Sequence, residues 1–517
     1  MVPTDPRKQK TESDFAVIGS GIGGLCCAAL LARYGYSVTV CESHVTPGGA
    51  AHSFERDGFH FESGPSFFTG LSAPGSTNPI KQILDLLGEK VESVSYDRWQ
   101  THLPEGTFIS SSDPKLYHEQ LARFCSAEGL EQWRRMEARL ERLSRGVADL
   151  PMAAMRADAG ALLTLGRYAR GMLRNLSGAR ELQNSFAWLV DQEITDPFLR
   201  RLCDFECFGL SGMDAGGTPL AEMAFMFRER FRMSVDYPIG GSQAIVAALV
   251  RGLEKHGGKL VLGAHVDSVI VEGGRARGVR LRRGGEVRAR RAVVSNATIW
   301  DTLKLVPEGA FPETFRAKAA ATPHTGSVVH LHLGIDATGL PPGLGIHHVV
   351  MKNWDVTAPQ NVCNISIPST LDASLAPPGH HVVHAYTAGN EPYEVWEGMH
   401  HRSEAYKAMK EERSQVLWEA MEVVIPDVRE RARIALVGTP LSSERFLRRH
   451  RGTYGAAYRA DQGQSFPGPK TPLPGLLCCG DSNMPGIGVP AVAVSGMVAA
   501  NTLVPVRKHW KLLGELS

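Results

Sequence analysis

Near its start the chain places two short apolar runs on either side of a glycine-rich turn. Residues 14–18 predict a buried strand, residues 25–34 a helix, and residues 37–41 a second strand that leads to Glu42. A strand, a glycine turn, a helix and a second strand closed by an acid, in this order, are typical of a dinucleotide-binding unit.

The turn carries the residues that such a site needs. Gly19 permits the tight bend, Gly21 lets backbone N–H groups approach a pyrophosphate, and Gly24 lets the helix pack closely on the strand. The helix N-terminus offers free N–H groups and a positive dipole end to phosphates, and Glu42 can accept hydrogen bonds from ribose hydroxyls. We therefore predict dinucleotide contacts from Gly19, Gly21, Ile22, Gly23, Gly24, Glu42 and Ser43.

Farther along, helical and strand-like patterns alternate. Helical spacing of apolar residues dominates residues 75–235 and returns at 244–256. Strand-like runs are found at 258–262, 265–272, 276–281, 292–297, 326–334 and 380–387. This alternation predicts a mixed α/β protein that passes repeatedly between two domains.

Two further motifs separate FAD from NAD. A glycine pair follows Glu42 at 48–49, where a nicotinamide dehydrogenase needs none, and near the C-terminus an apolar run leads to Gly480-Asp481 and a second glycine loop. In both motifs the chain resembles the FAD-binding amine oxidase and phytoene desaturase superfamily. The resemblance implies FAD contacts from Gly48, Gly49, Ala50, Gly64, Pro65, Ser66, Gly480, Asp481, Gly488, Val489 and Ala491.

The resemblance covers nearly the whole chain and implies its organisation. The expected fold class is α/β, with a Rossmann-type FAD-binding domain of the amine oxidase and phytoene desaturase kind interleaved with a mixed α+β substrate domain. The FAD-binding domain would take residues 12–70, 236–300 and 431–517, and the substrate-binding and membrane-associating domain residues 71–235 and 301–430. In the family a valine on the first hairpin strand of the middle segment lies against the adenine, and Val266 matches that position.

Several stretches resemble one branch of the superfamily, the carotenoid isomerases and their plant and algal relatives, with the retinol saturases close by. These stretches are residues 54–59, 237–241, 445–449, 451–455 and 485–489. The implied activity is FAD-dependent cis–trans isomerisation of a membrane-borne carotenoid, with FAD bound noncovalently. The same fold accommodates a carotenoid desaturase, a retinol-type saturase or a hydratase. A flavin-dependent protein that binds carotenoids without turnover is the alternative of another class.

The composition of the chain limits the ligands and partners that we expect. The 517 residues are 43% apolar and 21% charged, which is ordinary globular usage, and the net charge of +2 gives no reason to expect nucleic acid binding. No apolar run reaches the roughly 18 residues that a membrane-spanning helix needs. The nine cysteines are scattered and are interpreted as reduced core thiols. Cys203 and Cys207 stand four apart without companion ligands, so we predict no metal site.

One region is strongly basic. Residues 134–180 contain ten arginines, no lysine and four acids. Within residues 161–176, a helical wheel places Leu162, Leu165, Ala169, Met172, Leu173 and Leu176 on one side and Arg167, Arg170 and Arg174 on the other. This pattern favours a helix that lies in an anionic membrane interface. An ordinary surface helix packed on its own domain produces the same pattern.

The N-terminus is polar and shows no targeting signal over residues 1–13. With the family resemblance, this gives two expected locations. The first is a plastid (chloroplast) membrane surface, with the transit peptide absent from this chain. The alternative is the bacterial cytoplasm, again in association with a membrane.

The sequence offers few candidates for catalytic residues. His330 and His332 alternate along a predicted strand, so both face the same side. If that side is the cavity, either one can protonate a polyene carbon or bind a terminal hydroxyl; otherwise they belong to a polar outer sheet face. The pairs at 347–348 and 380–381 are interpreted as surface or packing histidines, and Arg448, Arg449 and Arg451 as partners of cavity groups or as a solvated loop.

Overall fold

The computed structural model describes residues 5–148, 150–168 and 176–516. Its strands are β1 (Lys10–Ile18), β2 (Val38–Cys41), β3 (Ser53–Arg56), β4 (Phe59–Glu62), β5 (Phe68–Thr69), β6 (Ser93–Tyr96), β7 (Arg98–Leu103), β8 (Gly106–Ser111), β9 (Val235–Pro238), β10 (Lys259–Val261), β11 (Val266–Glu272), β12 (Arg275–Leu281), β13 (Glu286–Ser295), β14 (His330–Asp336), β15 (His347–Met351), β16 (Val362–Ser366), β17 (His380–Thr387), β18 (Ala432–Gly438) and β19 (Leu476–Cys478).

The α-helices within these residues are α1 (Ile22–Arg33), α2 (Pro79–Leu87), α3 (Pro114–Leu121), α4 (Ala127–Ala148), α5 (Gly160–Arg167), α6 (Leu176–Glu181), α7 (Phe186–Glu193), α8 (Pro197–Ser211), α9 (Leu220–Arg232), α10 (Ser242–Lys255), α11 (Ile299–Leu305), α12 (Glu313–Ala320), α13 (Glu404–Val424), α14 (Val428–Arg431), α15 (Pro440–Leu447), α16 (Val489–Leu503) and α17 (Val506–Leu513). In the part of the chain that the structure describes, none of these helices combines the length and apolarity needed to cross a bilayer.

The first sheet draws its strands from distant parts of the chain. Its order is β10-β2-β1-β13-β12-β11, and β19 pairs with β13. The strands β2, β1, β13 and β19 run parallel, so their carboxyl ends meet at one edge of the sheet. Ligands of open α/β sheets bind at this edge, where the chain turns from strand to helix.

Helix α1 lies against this sheet and is covered by α16 and α10. Every residue from Ile22 to Ala32 is buried, and the helix consists of small and apolar residues because it has no solvent-facing side. The largest apolar core of the first sheet surrounds this helix. The N-terminal and C-terminal parts of the chain therefore share one core.

The second sheet has the order β18-β14-β17-β16-β15-β7-β8. One face buries Leu331 and Leu333 against Leu417 and Met421 of the long helix α13. The opposite face is directed toward the first sheet and is covered in part by the hairpin of β3 and β4, through Phe61.

The elements differ from the sequence expectations in two main places. Residues 75–235, where helical spacing dominates, also contain the strands β6, β7 and β8. Strand Ala432–Gly438 pairs with β14 in the second sheet, although the sequence analysis placed residues 431–517 wholly in the FAD-binding domain. Its alternating burial is typical of an edge strand and could not reveal which sheet it joins.

Candidate active site

A cavity of about 700 Å³ runs along the carboxyl edge of the first sheet and across the second. The two glycine loops of the sequence analysis lie in its wall, and each ends at a helix N-terminus. Gly21 precedes α1 and Gly488 precedes α16. Two helices of 12 and 15 residues therefore direct their N-termini at one space, which suits an anionic ligand.

The first glycine turn is too tight for side chains. A Cβ atom on Gly24 would lie 2.3 Å from the carbonyl oxygen of Gly19, and one on Gly21 would lie 2.8 Å from Nδ2 of Asn296. Gly19 itself has a φ of +88°, a conformation that L-residues rarely adopt. The backbone can approach a ligand here because nothing projects from it.

Glu42 is buried in the cavity wall at the end of β2. Its Oε2 accepts hydrogen bonds from the backbone N–H of Ser20 at 2.8 Å and from the Ser20 hydroxyl at 2.7 Å. Its Oε1 accepts from the N–H of His44 at 2.7 Å. These three donors hold the carboxylate in one orientation beside the first turn.

The glycine pair Gly48-Gly49 is hydrogen-bonded to the first glycine turn. Gly48 donates its N–H to the carbonyl oxygen of Ser20 at 3.0 Å, and a Cβ atom on Gly64 would lie 2.3 Å from the carbonyl oxygen of Ala50. At the far end, Asp481 forms an ion pair with Arg449 over 2.6 Å. Arg449, for which the sequence allows either a cavity partner or a solvated loop, lies in the cavity wall.

The structure brings most of the predicted contacts together. The cavity wall includes Gly19, Gly21, Ile22, Gly23, Glu42, Ser43, Gly48, Gly49, Ala50, Gly64, Pro65, Val266, Gly480, Asp481, Gly488 and Val489. Three other predicted residues stand behind it: Gly24, Ser66 and Ala491. Of the two catalytic candidates, His330 lines the cavity and His332 does not.

The second sheet supplies a polar floor to the cavity. His330 stands opposite Tyr386 on β17, and Tyr386 stands opposite Asn364 on β16. All three side chains line the cavity. Tyr386 and Asn364 were missed by the sequence analysis. The alternation along each strand was visible, but the pairing that places them beside His330 was not.

His330 and His332 do not form an outer sheet face. His332 is buried and its Nε2 donates to the carbonyl oxygen of Glu62 at 2.9 Å, while Nδ1 of His330 is hydrogen-bonded to Nε2 of His384 at 2.9 Å. Burial lowers the pKa of His330 to about 3 and that of His332 to about 4. Both imidazoles are therefore neutral at pH 7.

His330, His332 and His384 offer nitrogen atoms within 4.8 Å of one another. A shared metal ion would need lone pairs that converge, and an imidazole lone pair lies in the plane of its ring. The rings of His332 and His384 stack at 4.4 Å with an angle of 4°, and His330 is inclined by 17° to each of them. Nearly parallel rings cannot direct their lone pairs at one ion, so this arrangement fits a stacked hydrogen-bonded cluster.

The remaining candidates occupy structural positions. His347 and His348 are buried, so they are packing residues and not surface residues. Arg451 pairs with Glu394 at 2.7 Å. Cys203 and Cys207 are buried in an apolar core.

Comparison with known protein families matches residues 22–504 to the flavin containing amine oxidoreductases. The chain belongs to this family. Its members contain flavin, and the glycine-lined cavity of this flavin oxidoreductase is consistent with that cofactor in two respects. Side chains are excluded where the phosphates would lie, and two helix N-termini are directed there.

Relatives with recorded activities match the chain nearly end to end. Prolycopene isomerase 1, chloroplastic, of an Oncidium hybrid cultivar is 33% identical over 502 residues, which cover 96% of this chain and 84% of that protein. The chloroplastic prolycopene isomerase of Arabidopsis thaliana is 32% identical over 513 residues, with coverage of 94% and 82%. All-trans-retinol 13,14-reductase of Danio rerio is 25% identical over 494 residues, with coverage of 87% and 78%.

Solved structures share the fold of this flavin oxidoreductase. An oxidoreductase from Methanosarcina mazei has a TM-score of 0.65 at 20% identity and covers 94% of this chain and 99% of its own. Putrescine oxidase bound to putrescine has a TM-score of 0.61 at 17% identity, with coverage of 96% and 98%. At such identities the similarity shows the fold alone.

The buried histidines make the stability of the protein depend on pH. Burial lowers the pKa of many of them, including His330, His332, His347, His348, His384 and His509. Between pH 6.5 and about 4 the unfolded chain binds protons at these positions that the folded chain does not, so stability falls as the pH drops. Burial raises the pKa of Glu62 and Glu222 to about 7 and also raises the pKa of Asp204 and Glu229, which opposes this trend with fewer groups than the histidines supply.

We therefore expect the thermal unfolding midpoint to fall by several degrees between pH 6.5 and pH 4.5. His332→Gln keeps a donor for the carbonyl of Glu62 but removes one titrating group. Its folding constant should consequently change about tenfold less per pH unit within this window. Calorimetry of both proteins checks this, and equal pH dependences would contradict the assignment of His332 as a neutral buried base.

Proposed function

We propose that this chain is an FAD-dependent cis–trans isomerase that acts on a membrane-borne carotenoid. The observation that carries the proposal is the 33% identity to a prolycopene isomerase over 96% of the chain. The cavity supports it, because the dinucleotide wall continues onto a sheet face without a break.

FAD is held noncovalently in this proposal. Glu42, Val266 and Asp481 all line the cavity. In this proposal Glu42 receives the ribose, Val266 the adenine, and Asp481 the ribityl or pyrophosphate region. The cavity-lining His52 is not free for covalent attachment, since its Nδ1 donates to the carbonyl of Gly49 at 2.8 Å and its Nε2 accepts from Ser63 at 3.1 Å.

Isomerisation requires one C=C bond to lose its double-bond character briefly, and bound flavin supplies the electronic exchange that permits this. The protein supplies orientation and a dry site. His330 is the group that holds or moves a proton at the cavity, through its ring nitrogens. His332 acts as a positioning residue, because its ring stacks between the Glu62 hairpin and His384 and does not reach the cavity.

The test uses FAD-loaded protein, chemically reduced without oxygen, with liposomes that contain poly-cis lycopene and, separately, phytoene or retinol. We expect a lycopene product of unchanged mass and altered geometry, formed over many turnovers per flavin. A mass change of two hydrogens would replace the proposal with desaturation or saturation, as the retinol reductase relative suggests. A gain of water would indicate a hydratase. Tight binding of lycopene without any product would indicate a carotenoid-binding protein.

Membrane contact through helix α5 is the second part of the proposal. Leu162 is 78% exposed and Leu163 60% exposed, while the opposite side of the helix is attached to the protein by a hydrogen bond of 3.1 Å from Trp510 to Thr164. The predicted apolar side continues into Ala169, Met172 and Leu173, and the basic side into Arg170 and Arg174, all of which lie outside the described residues.

We expect the double variant Leu162→Ser, Leu163→Ser to bind anionic liposomes about 30-fold more weakly. The estimate assigns about 1 kcal/mol to each leucine that leaves water on insertion. Cosedimentation with vesicles measures it. Val423, which is 52% exposed at the end of α13, provides the control Val423→Ser. Equal losses in both variants would show that α5 is an ordinary surface helix.

The proposal retains the two-domain division, with residues 12–70, 236–300 and most of 431–517 around FAD. It also retains the location at a membrane surface, in a plastid or in the bacterial cytoplasm. The plant relatives named above are chloroplastic.

A further inference from the structure

Four buried polar atoms lie behind the cavity floor without a hydrogen-bond partner among the described residues. They are the Tyr96 hydroxyl, Nε2 of His347, Oγ of Ser366 and Nδ1 of His384. Leaving a buried polar atom unpaired costs about 1–3 kcal/mol. Four such atoms in one region indicate a polar ligand, and we call these four residues the polar row.

Strand pairing places three members of the polar row side by side. Ser366 stands directly opposite His384, and His347 stands directly opposite Ser366. Directly paired residues project from the same sheet face with Cβ atoms about 5 Å apart. The ring of Tyr96 follows, with its centroid 5.5 Å from that of His347. The row therefore crosses three adjacent strands and ends at a fourth residue packed on the same face.

The inner end of the polar row reaches the cavity. His384 is hydrogen-bonded through Nε2 to Nδ1 of His330 at 2.9 Å, and His330 lines the cavity. Because Nε2 of His384 is used in this way, its unpaired Nδ1 is the atom that continues the row toward Ser366.

The outer end of the row lies near the surface. Tyr96 is only half-buried. Its ring packs edge-on against Phe67 with the centroids 6.4 Å apart, and Phe67 is 45% exposed.

We propose that the polar row holds a file of ordered waters that carries protons between the protein surface at Tyr96 and His330 in the cavity. Waters that bridge buried polar groups typically make about three hydrogen bonds each, and the row offers such partners at each step. The inference rests on the proposed function only for what His330 does with the proton.

The transfer balances without any redox partner. Each imidazole accepts a proton on one ring nitrogen and releases one from the other, and the Ser366 hydroxyl does the same with its single oxygen. One proton enters at Tyr96 for each proton that leaves at His330. No carbon bond is formed or broken. Burial lowers the pKa of His347 to about 3, as it does for His330, so protons pass along the row and do not stay on it.

The first test is a high-resolution crystal structure of the purified flavoprotein. We expect ordered waters within hydrogen-bond distance of at least three of the four unpaired atoms. A row closed by apolar contacts, without water, would overturn the proposal whatever the enzyme turns over.

The second test is proton exchange at the ring nitrogens of His330 and His384, followed by NMR on ¹⁵N-histidine-labelled full-length protein. Ser366→Val should slow this exchange at least about tenfold, because it removes the hydroxyl and fills its space. Tyr96→Phe is the conservative second variant and should slow it as well. Ser414→Val is the matched control: Ser414 is buried on α13, behind the other face of the sheet.

Unchanged exchange in both row variants would overturn the proton path. If exchange slows as expected but no carotenoid is isomerised, the path stands and the proposed function fails. If the polyene is isomerised and exchange is unaffected, the proposed function stands and the path fails. The proton path and the proposed function are thus tested independently.

Discussion

We expect Gly24→Ala to weaken flavin binding, so that the flavin-to-protein ratio of the purified variant falls at least tenfold. The added Cβ would lie 2.3 Å from the carbonyl oxygen of Gly19 and 3.1 Å from Cβ of Asn296. The carbonyl cannot yield alone, because it belongs to the backbone of the turn. Overpacking of this kind costs about 1–3 kcal/mol or more, and about 3 kcal/mol corresponds to a change of roughly 100-fold in a binding constant.

The strain can be relieved in two ways, and both are measurable. If the turn shifts, FAD affinity falls, which fluorescence titration detects. If the turn holds, the unfolding midpoint falls instead. Gly166→Ala is the control, because a Cβ there meets nothing within 4 Å. A Gly24→Ala protein with normal flavin content and normal thermal stability would contradict the close packing described for the turn.

Arg413→Met should destabilise the protein by about 3–5 kcal/mol. The guanidinium of Arg413 donates to both oxygens of Glu391, at 2.9 Å from Nε and 2.8 Å from Nη2. Glu391 is fully buried, and Trp396 donates to the same carboxylate at 2.9 Å. Without Arg413, the buried carboxylate of Glu391 would keep its negative charge with only the neutral indole N–H of Trp396 as a donor. Removing one partner of a buried ion pair is strongly destabilising because it leaves an uncompensated charge.

This pair supports the cavity wall. Glu391 exchanges two backbone hydrogen bonds with Ser327, at 2.7 and 3.0 Å, and the neighbouring residues Ala388 and Gly389 line the cavity. We therefore expect Arg413→Met to lower turnover as well as the unfolding midpoint. Adding Glu391→Gln to this variant removes the stranded charge and should restore at least half of the lost stability.

The matched control for this prediction stands on the same helix. Lys407 pairs with Glu404 at 2.7 Å, and both side chains are exposed. Lys407→Met should change stability by no more than about 1 kcal/mol. A double variant that is no more stable than Arg413→Met alone would show that the loss arises from packing and not from the buried charge.

Features fixed by short-range geometry could be predicted from the sequence. The turn at Gly19 and Gly21 and the acid at Glu42 each depend on a few consecutive residues, so their spacing carries the information. Gly488 was implied by the family resemblance, and all four residues lie in the cavity wall.

Features that depend on strand pairing could not be predicted in this way. Tyr386 and His384 meet His330 only because β14 and β17 pair in one particular register, across more than fifty intervening residues. The contact between Arg449 and Asp481 likewise depends on how two loops meet. A single sequence shows which side of a strand is polar but not which strand is its neighbour.

The first sheet also has a consequence for biosynthesis. Helix α1 is wholly buried, yet α16, which covers it, begins at Val489. At roughly 5–20 residues per second, the ribosome needs on the order of half a minute or more to make the intervening chain. Throughout that time the side of α1 that α16 covers lacks its partner, although α10 can already pack on the helix, and loop closure over this length is slow. Gly488 and Val489 at the start of α16 line the cavity, so we expect the cofactor site to be complete only after nearly the whole chain has been made.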